Sequence, residues 1–319
     1  MEKNMCVSIL VITYNQENYI LETLKGIVNQ TTNFPIEIII SNDCSPDNTN
    51  KIIEDFIAEN KTNKDIIFKY FNHKTNLGAI NNFYFAIKQA TGKYIAICEG
   101  DDYWIDNTKL QKQVDFLENN QEYNLVYTDA KYFTQETNEF DLQRTQQIDS
   151  FDDLLVKNRI FTLTICLRKD VLDMYMSEDY MHLKHLPLGD YPLWLFASTK
   201  GKAKYMPIVS AVYRILNESA SHSKNLSKVV KFEEAVNECR LYFLDKYYAG
   251  DKEKLKKKLL GSKALSIIRM ALQNKNEEIF NQYKGELKYI ADYKYKYYLI
   301  YSLAKVNFKL FTKTYYGAK

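Results

Sequence analysis

Three carboxylates stand within four residues at Glu99-Gly100-Asp101-Asp102, directly after the apolar run Tyr94-Ile95-Ala96-Ile97-Cys98. Like charges held this close repel, and each raises the pKa of its neighbours. Stability alone gives no reason to gather them at the end of a buried strand. A divalent cation neutralises such a set. Mg²⁺ and Mn²⁺ prefer oxygen ligands, and in phosphate chemistry they take one or two carboxylates together with substrate phosphates. The chemistry expected is a nucleotide diphosphate bridged by Mn²⁺ or Mg²⁺, with Glu99, Asp101 and Asp102 as the metal-ligating set. The plain structural alternative is a solvated acidic turn capping the helix that follows.

Such groups need a rigid edge to stand on, and the first 130 residues supply one. Val7–Thr13, Ile36–Ser41, Ile66–Phe71 and Tyr94–Cys98 are short apolar, β-branched runs, and Leu125–Tyr127 opens a fifth. Between them, Tyr19, Ile20, Leu24, Ile27 and Val28 recur at helical spacing, as do Ile52, Ile53, Phe56 and Ile57. Ala79–Ala90 and the set Leu110, Val114, Leu117 predict two further helices. This alternation predicts a parallel sheet covered on both faces, whose ligands lie beyond the carboxyl ends of the strands. Polar groups collect at those ends: Thr13-Tyr14-Asn15, Asn42-Asp43-Cys44-Ser45, Asn76-Leu77-Gly78 and the acidic turn. Further on, residues 134–150 read as a polar loop or hinge and Phe161–Leu167 as a strand. Leu193–Ser198 reads as a helix, and Lys204–Ile208 with Ser210–Ile215 as a strand pair broken at Met206-Pro207.

Composition sets bounds. With 319 residues, 46% hydrophobic and 26% charged, the chain is of ordinary soluble globular type. The five cysteines are scattered with no C-x-x-C pair, which argues against a disulfide framework or a zinc site. No G-x-G-x-x-G follows the first strand and no Walker lysine loop is present, which argues against dinucleotide and P-loop chemistry. No signal peptide pattern and no apolar run of membrane-spanning length is found, so a cytoplasmic protein is expected. His182 and His185 lack a third ligand nearby, and solvated loop histidines are the simpler reading; Trp104 and Trp194 are candidates to stack on a sugar ring, although Trp194 on an apolar helix reads more simply as core.

The net charge of +3 hides an asymmetry: residues 251–319 carry 16 Lys and Arg against 6 Asp and Glu. This region reads as helices, with Ile290, Tyr293, Tyr297, Ile300, Ala304, Phe308 and Phe311 on one face and Lys296, Lys305, Lys309 and Lys313 mostly off it. Packing is expected for most of it, and contact with an anionic membrane surface for its basic face. Nucleic acid is not an expected partner, because the aromatics are not interleaved with the lysines for stacking.

The motifs taken together resemble those of the family 2 inverting glycosyltransferases with the GT-A fold. The segments carrying the resemblance are Val7–Asn15, Ser41-Asn42-Asp43-Cys44-Ser45-Pro46-Asp47-Asn48-Thr49, Asn76-Leu77-Gly78, and Gly92-Lys93-Tyr94-Ile95-Ala96 running into Glu99-Gly100-Asp101-Asp102. The resemblance covers roughly residues 5–220. It implies a GT-A catalytic domain over 1–220, with a nucleotide-binding half at 1–130 and an acceptor half at 131–220, and a helical C-terminal region at 221–319. It implies that Thr13, Tyr14 and Asn15 lie along the nucleotide and that Asp43 meets the nucleobase edge; a helix N-cap or turn acid is the plain structural alternative for Asp43, a role that Asp47 or Asn48 could fill instead. Asn76 and Gly78 match the turn beside the nucleotide, and Glu99-Gly100-Asp101 matches the D-x-D motif. Asp190 matches the general base on the acceptor side. Tyr213-Arg214, with Asn217, Ser219 and His222, matches the segment that closes over the diphosphate, Arg214 adding a positive group.

Three departures stand out. The first D-x-D acid is Glu99, Ile80-Asn81-Asn82 lacks the cation of the common Ala-Arg-Asn, and Gly189 replaces the acid that often precedes Asp190. The implied reaction is metal-dependent transfer of a sugar, with inversion, from a nucleotide sugar (UDP by resemblance) to a hydroxyl of a saccharide or lipid-linked saccharide. It would serve polysaccharide or glycoconjugate synthesis at the inner face of the cell membrane. A non-catalytic nucleotide-binding module and a nucleotidyltransferase are the competing readings, the latter lacking its basic Gly-rich loop.

Overall fold

In a computed structural model the structure describes residues 7–62, 64–148, 150–216 and 225–317. The chain divides into two compact units, Met1–Phe151 with Asn158–Asn217, and Asp152–Lys157 with Glu218–Lys319.

The first unit opens with the alternation that the apolar runs predict: β1 (Val7–Thr13), α1 (Ile20–Val28), β2 (Ile36–Asn42), α2 (Thr49–Asn60), β3 (Ile66–Asn72), α3 (Ala79–Lys88) and β4 (Tyr94–Ile97). Next come β5 (Tyr103–Trp104), α4 (Lys109–Asn119), β6 (Tyr123–Thr134) and β7 (Glu139–Gln143), and then α5 (Phe151–Val156), which falls at the division between the units. The unit closes with β8 (Cys166–Arg168), α6 (Lys169–Glu178), α7 (Tyr180–Leu183), α8 (Tyr191–Lys200) and β9 (Lys202–Ile215). The strands form one mixed sheet in the order β3-β2-β1-β4-β8-β6-β9-β5, with β7 on β6. Pairing is parallel from β3 through β4 and between β6 and β9, and antiparallel where β8, β7 and β5 join. Strand order reverses at β1, which pairs with β2 on one side and β4 on the other, so the carboxyl ends of β1 and β4 border the crevice where such sheets take ligands. Val7, Ile9, Val11, Ile38, Ile40, Tyr94 and Ala96 fill one core beneath that edge.

Several expectations are corrected. Residues 134–150 are not all loop, because Glu139–Gln143 pairs antiparallel with β6 from Ala130 to Thr134. This hairpin strand is polar because it is an outer strand, and burial does not select its residues. The expected strand at Phe161–Leu167 is a 3₁₀ turn at Thr162–Thr164 followed by a three-residue strand. The expected strand pair around Met206-Pro207 is one strand, β9. Its register on β6 jumps from Thr128 facing Met206 to Asp129 facing Val209, so Pro207, which has no N–H to give, sits in the irregularity. Strand β6 runs unbroken through residue 130. Trp104 and Trp194 are buried, Trp104 donating its indole N–H to Leu163 O at 2.8 Å, so neither ring is open to a sugar.

The second unit is helical: α9 (Leu226–Tyr247), α10 (Lys252–Gln273), α11 (Glu277–Tyr283), α12 (Leu287–Val306) and α13 (Phe308–Tyr316). Ala264, Ile267, Ile268, Ala271 and Leu272 of α10 meet Phe280, Leu287, Ile290, Tyr301, Ala304, Phe308 and Phe311 in its core. Helices α10 and α12 approach closely at Gly261, where a Cβ would lie 2.4 Å from Tyr289 O. No described helix is long and apolar enough to cross a membrane.

Candidate active site

The carboxyl ends of β1 and β4 are locked together. Cys98 and Gly100 donate backbone N–H groups to Leu10 O and Ile12 O, both at 3.0 Å, which carries the β1–β4 register into the acidic turn. Thr23 of α1 donates its hydroxyl to the carbonyls of Gly100 and Asp102 at 3.0 and 2.6 Å. The turn can pass this close only because residue 100 is glycine: a Cβ there would lie 2.4 Å from Gln16 Oε1 and 2.7 Å from Thr13 Oγ1. Thr13 donates its hydroxyl to Gln16 Oε1 at 2.7 Å, and the Gln16 side chain also bonds to the Asp101 carboxylate. Tyr14, next along, exposes 48% of its surface. Asn15 takes the left-handed conformation, φ 57°, and its N–H donates to Ser45 Oγ at 2.9 Å.

The electrostatics are those of an incompletely neutralised acidic site. Burial, then the charges of Asp101 and Asp190, pushes the Glu99 carboxyl up to about 8. Burial also raises Asp101, against the pull of Arg214 and Gln16. Asp102 is raised well above the usual carboxylate range by burial and by both acidic neighbours. A cation among these oxygens would relieve the repulsion, so the donor set suits a hard divalent ion. Among the described residues no group of three or more His, Cys, Asp or Glu side chains is arranged to hold one. Phosphate and water oxygens would therefore have to complete its shell.

Asp102 and Arg214 face inward. Asp102, 2% exposed, accepts the backbone N–H of Arg214 at 2.8 Å. The Arg214 guanidinium donates to Asp101 O at 2.8 Å, Gln135 Oε1 at 2.9 Å and Glu22 Oε2 at 2.6 Å, among the rings of Tyr19, Tyr103 and Phe133. These bonds tie β9 to the acidic turn. Asn217, Ser219 and His222 lie outside the described residues.

Asp43 is likewise engaged by protein. Its two carboxylate oxygens accept the N–H groups of Leu77 and Gly78 at 2.6 and 3.0 Å. Asn76 Oδ1 also accepts from Gly78 N at 2.9 Å, and Gly78, with φ 82°, is the N-cap of α3. Asn81 stands where the family cation would and donates its side-chain amide to Leu77 O at 2.8 Å, while Asn82 reaches back to the sheet, donating to Ser41 O at 3.0 Å and accepting the Ser41 hydroxyl at 2.5 Å.

The charge of Asp190 is among those that raise the Glu99 carboxyl, so Asp190 lies within electrostatic reach of the acidic turn. It caps α8: Oδ1 accepts from Tyr191 N at 2.6 Å, Pro192 stands in the first turn, and Oδ2 accepts the Thr162 hydroxyl at 2.8 Å. Gly189 faces α3, where a Cβ would lie 3.0 Å from Phe83 Cδ1, so an acid at that position would press on Phe83. Gln16, Thr162, Glu22 and Gln135 are contributors that motif reading passes over, because uncharged or distant side chains carry no signal until the fold places them.

The comparisons with known proteins show the family and the fold. Residues 8–173 match the family model for glycosyl transferase family 2. An uncharacterised protein of Mycobacterium tuberculosis is 34% identical over 217 residues, covering 65% of this chain and 58% of that protein, so the chain spans well under two thirds of this relative's length. An Escherichia coli UDP-Glc:alpha-D-GlcNAc-diphosphoundecaprenol beta-1,3-glucosyltransferase is 30% identical over 219 residues, covering 68% of this chain and 80% of that enzyme. The structure of Staphylococcus aureus TarS residues 1–349 with UDP-GlcNAc superposes with a TM-score of 0.70 at 17% identity, covering 99% of this chain and 93% of that one. The fold is GT-A, with a helical region following it.

Proposed function

This chain belongs to glycosyl transferase family 2, and on that premise we propose that it moves a sugar from a UDP-sugar to a hydroxyl of a saccharide or lipid-linked saccharide, with inversion. The observation that carries the reading is that Glu99 and Asp101 stand together at the carboxyl ends of β1 and β4, with Asp190 within electrostatic reach of Glu99. A donor bound there has its anomeric carbon between the acids that face its diphosphate and an acid on the acceptor side.

Thr13, Tyr14 and Asn15 line the nucleotide, with Asn76 and Gly78 across from them. Asp43 serves by holding the Leu77–Gly78 turn. Glu99 and Asp101 would hold Mn²⁺ or Mg²⁺, which when bound offsets charge on the departing diphosphate. Asp102 and Arg214 keep the acidic turn in place. Asp190 accepts the proton of the acceptor hydroxyl as its oxygen attacks, and direct displacement inverts the anomeric centre. The UDP donor and the lipid-linked acceptor are supported by the name of the E. coli relative and by the nucleotide sugar bound in TarS. They fit a role in cell-surface polysaccharide synthesis beside a membrane.

The test is thermal shift with UDP, GDP, CMP and dTDP, with and without Mn²⁺, on the native protein and Asp101→Asn. Stabilisation by UDP that needs Mn²⁺ and is lost in the variant is expected. Absence of any metal-dependent nucleotide shift would overturn the site assignment.

A further inference from the structure

The C-terminal helices carry two apolar faces, and one of them is uncovered. Ile290, Ala304, Phe308 and Phe311 point into the helical core, as the sequence pattern predicts; Tyr301, outside that pattern, joins them, while Tyr293, Tyr297 and Ile300 are only partly buried against it. A second row points away: Tyr295, Leu299, Leu303 and Val306 of α12 and Leu310 of α13 are 60%, 50%, 61%, 86% and 62% exposed. The spacing of the four α12 residues sets them along one side of the helix, away from buried Tyr301 and Ala304. Scattered exposed leucines need no explanation, but a row of this size on adjoining helices does.

Its charge says what covers it. From Lys294 to Gly317 the chain holds Lys294, Lys296, Lys305, Lys309 and Lys313, all exposed, and no Asp or Glu. Apolar side chains flanked by unopposed lysines and by exposed tyrosines (Tyr295, Tyr315) match the headgroup boundary of an anionic bilayer. A second copy of the chain is a poorer occupant, since pairing this face with itself sets lysine against lysine.

We propose that the face of α12 and α13 formed by Tyr295, Leu299, Leu303, Val306 and Leu310, with its flanking lysines, docks on an anionic lipid surface. The apolar side chains enter the headgroup–acyl boundary and the lysines meet lipid phosphates. The helices lie on the membrane without crossing it. The docking surface stands on α12 and α13 alone, so it is read by binding rather than turnover.

The experiment is flotation of the full chain with vesicles of equal phosphatidylglycerol and phosphatidylcholine, and with phosphatidylcholine alone, at low and high salt. Two variants are compared, Leu299→Ser with Leu303→Ser, and Lys305→Gln with Lys309→Gln. All four positions are exposed, and unchanged melting temperatures are expected to show intact folding. The native chain should float only with anionic vesicles and release at high salt. The leucine variant should partition roughly tenfold less or worse, and the lysine variant should fall by a similar factor. No flotation on anionic vesicles at low salt, or equal flotation by the leucine variant, overturns the proposal. A dimer in sedimentation that the leucine variant abolishes would assign the face to a second copy and also overturn it. The UDP-dependent thermal shift, measured on the same preparations, reports on the transfer reading separately.

Discussion

Thr162 holds Asp190: its hydroxyl donates to Asp190 Oδ2 at 2.8 Å while Tyr191 N–H occupies Oδ1 at 2.6 Å. The carboxylate is thereby fixed in orientation from both sides, with one bond from the 3₁₀ turn and one from the start of α8. Asp190→Asn should retain UDP-sugar binding and lose roughly 10²–10⁴-fold in kcat, the usual worth of a general base. Thr162→Val keeps the proposed base but frees its orientation, so a kcat loss of roughly tenfold with little change in donor KM is expected. Steady-state kinetics of the two variants check both. Full activity of Asp190→Asn would remove it from the reaction.

Gly100 is a steric requirement of the acidic turn, because Gln16 Oε1 and Thr13 Oγ1 occupy the space a side chain would need. Gly100→Ala must push the β1 end away from β4. The expected cost is about 1–3 kcal/mol of stability, the range for overpacking. Donor binding should fall as well, because Thr13, Gln16 and Asp101 shift together. Denaturant melts and nucleotide titrations of the one variant read both effects, and a variant of native stability and affinity would show that the crevice tolerates the shift.

Much of this site is legible in sequence, and the part that is not has a physical pattern. β1, β2 and β4 are read correctly because burial on both faces makes them nearly uninterrupted apolar runs. Their acidic and amide-rich ends are visible for the same reason: they break those runs abruptly. β7 is missed because an outer hairpin strand need not be apolar, and the continuity of β9 is hidden by Pro207. Partnerships are hidden most completely. Nothing in the spacing says that Asp43 takes the N–H groups of Leu77 and Gly78, or that Arg214 faces Glu22 and Gln135. Those contacts exist only once strands distant in sequence lie side by side. The exposed row on α12 is masked by the stronger pattern of the buried face on the same helix.

Arg214 separates a phosphate ligand from a structural brace. Its guanidinium already gives hydrogen bonds to Asp101 O, Gln135 and Glu22, and its backbone N–H goes to the Asp102 carboxylate. Lysine cannot reproduce a planar fork with several acceptors. Arg214→Lys should therefore lower stability by about 1–3 kcal/mol, the scale of hydrogen bonds to charged groups left unmade. Donor affinity should fall only to the extent that the turn loosens. A variant with native melting temperature and strongly raised donor KM would instead place the guanidinium on the diphosphate.

Lys109 gives the fold a pH dependence of its own. It is fully buried, with its ammonium 4.2 Å from the Trp104 ring centroid and donating to Gln113 Oε1 at 2.9 Å, and burial lowers its pKa from 10.5 to about 8. The unfolded chain therefore binds more protons than the native one between pH 8 and 10.5, and stability from this group rises with pH across that window. Below pH 8 both states are charged, and the native state carries the full cost of burying the ammonium, on the order of 3 kcal/mol from a shift of this size. Lys109→Met keeps the volume and the ring contact while removing the charge. It should flatten the rise in stability between pH 8 and 10 relative to the native protein, and at pH 7 it should cost little or stabilise, since the two acceptors it leaves offset the penalty it removes. Denaturant melts of both proteins at pH 7 and pH 10 check this. Parallel pH profiles would show that Lys109 keeps its proton throughout and that Gln113 and Ile165 O satisfy it fully.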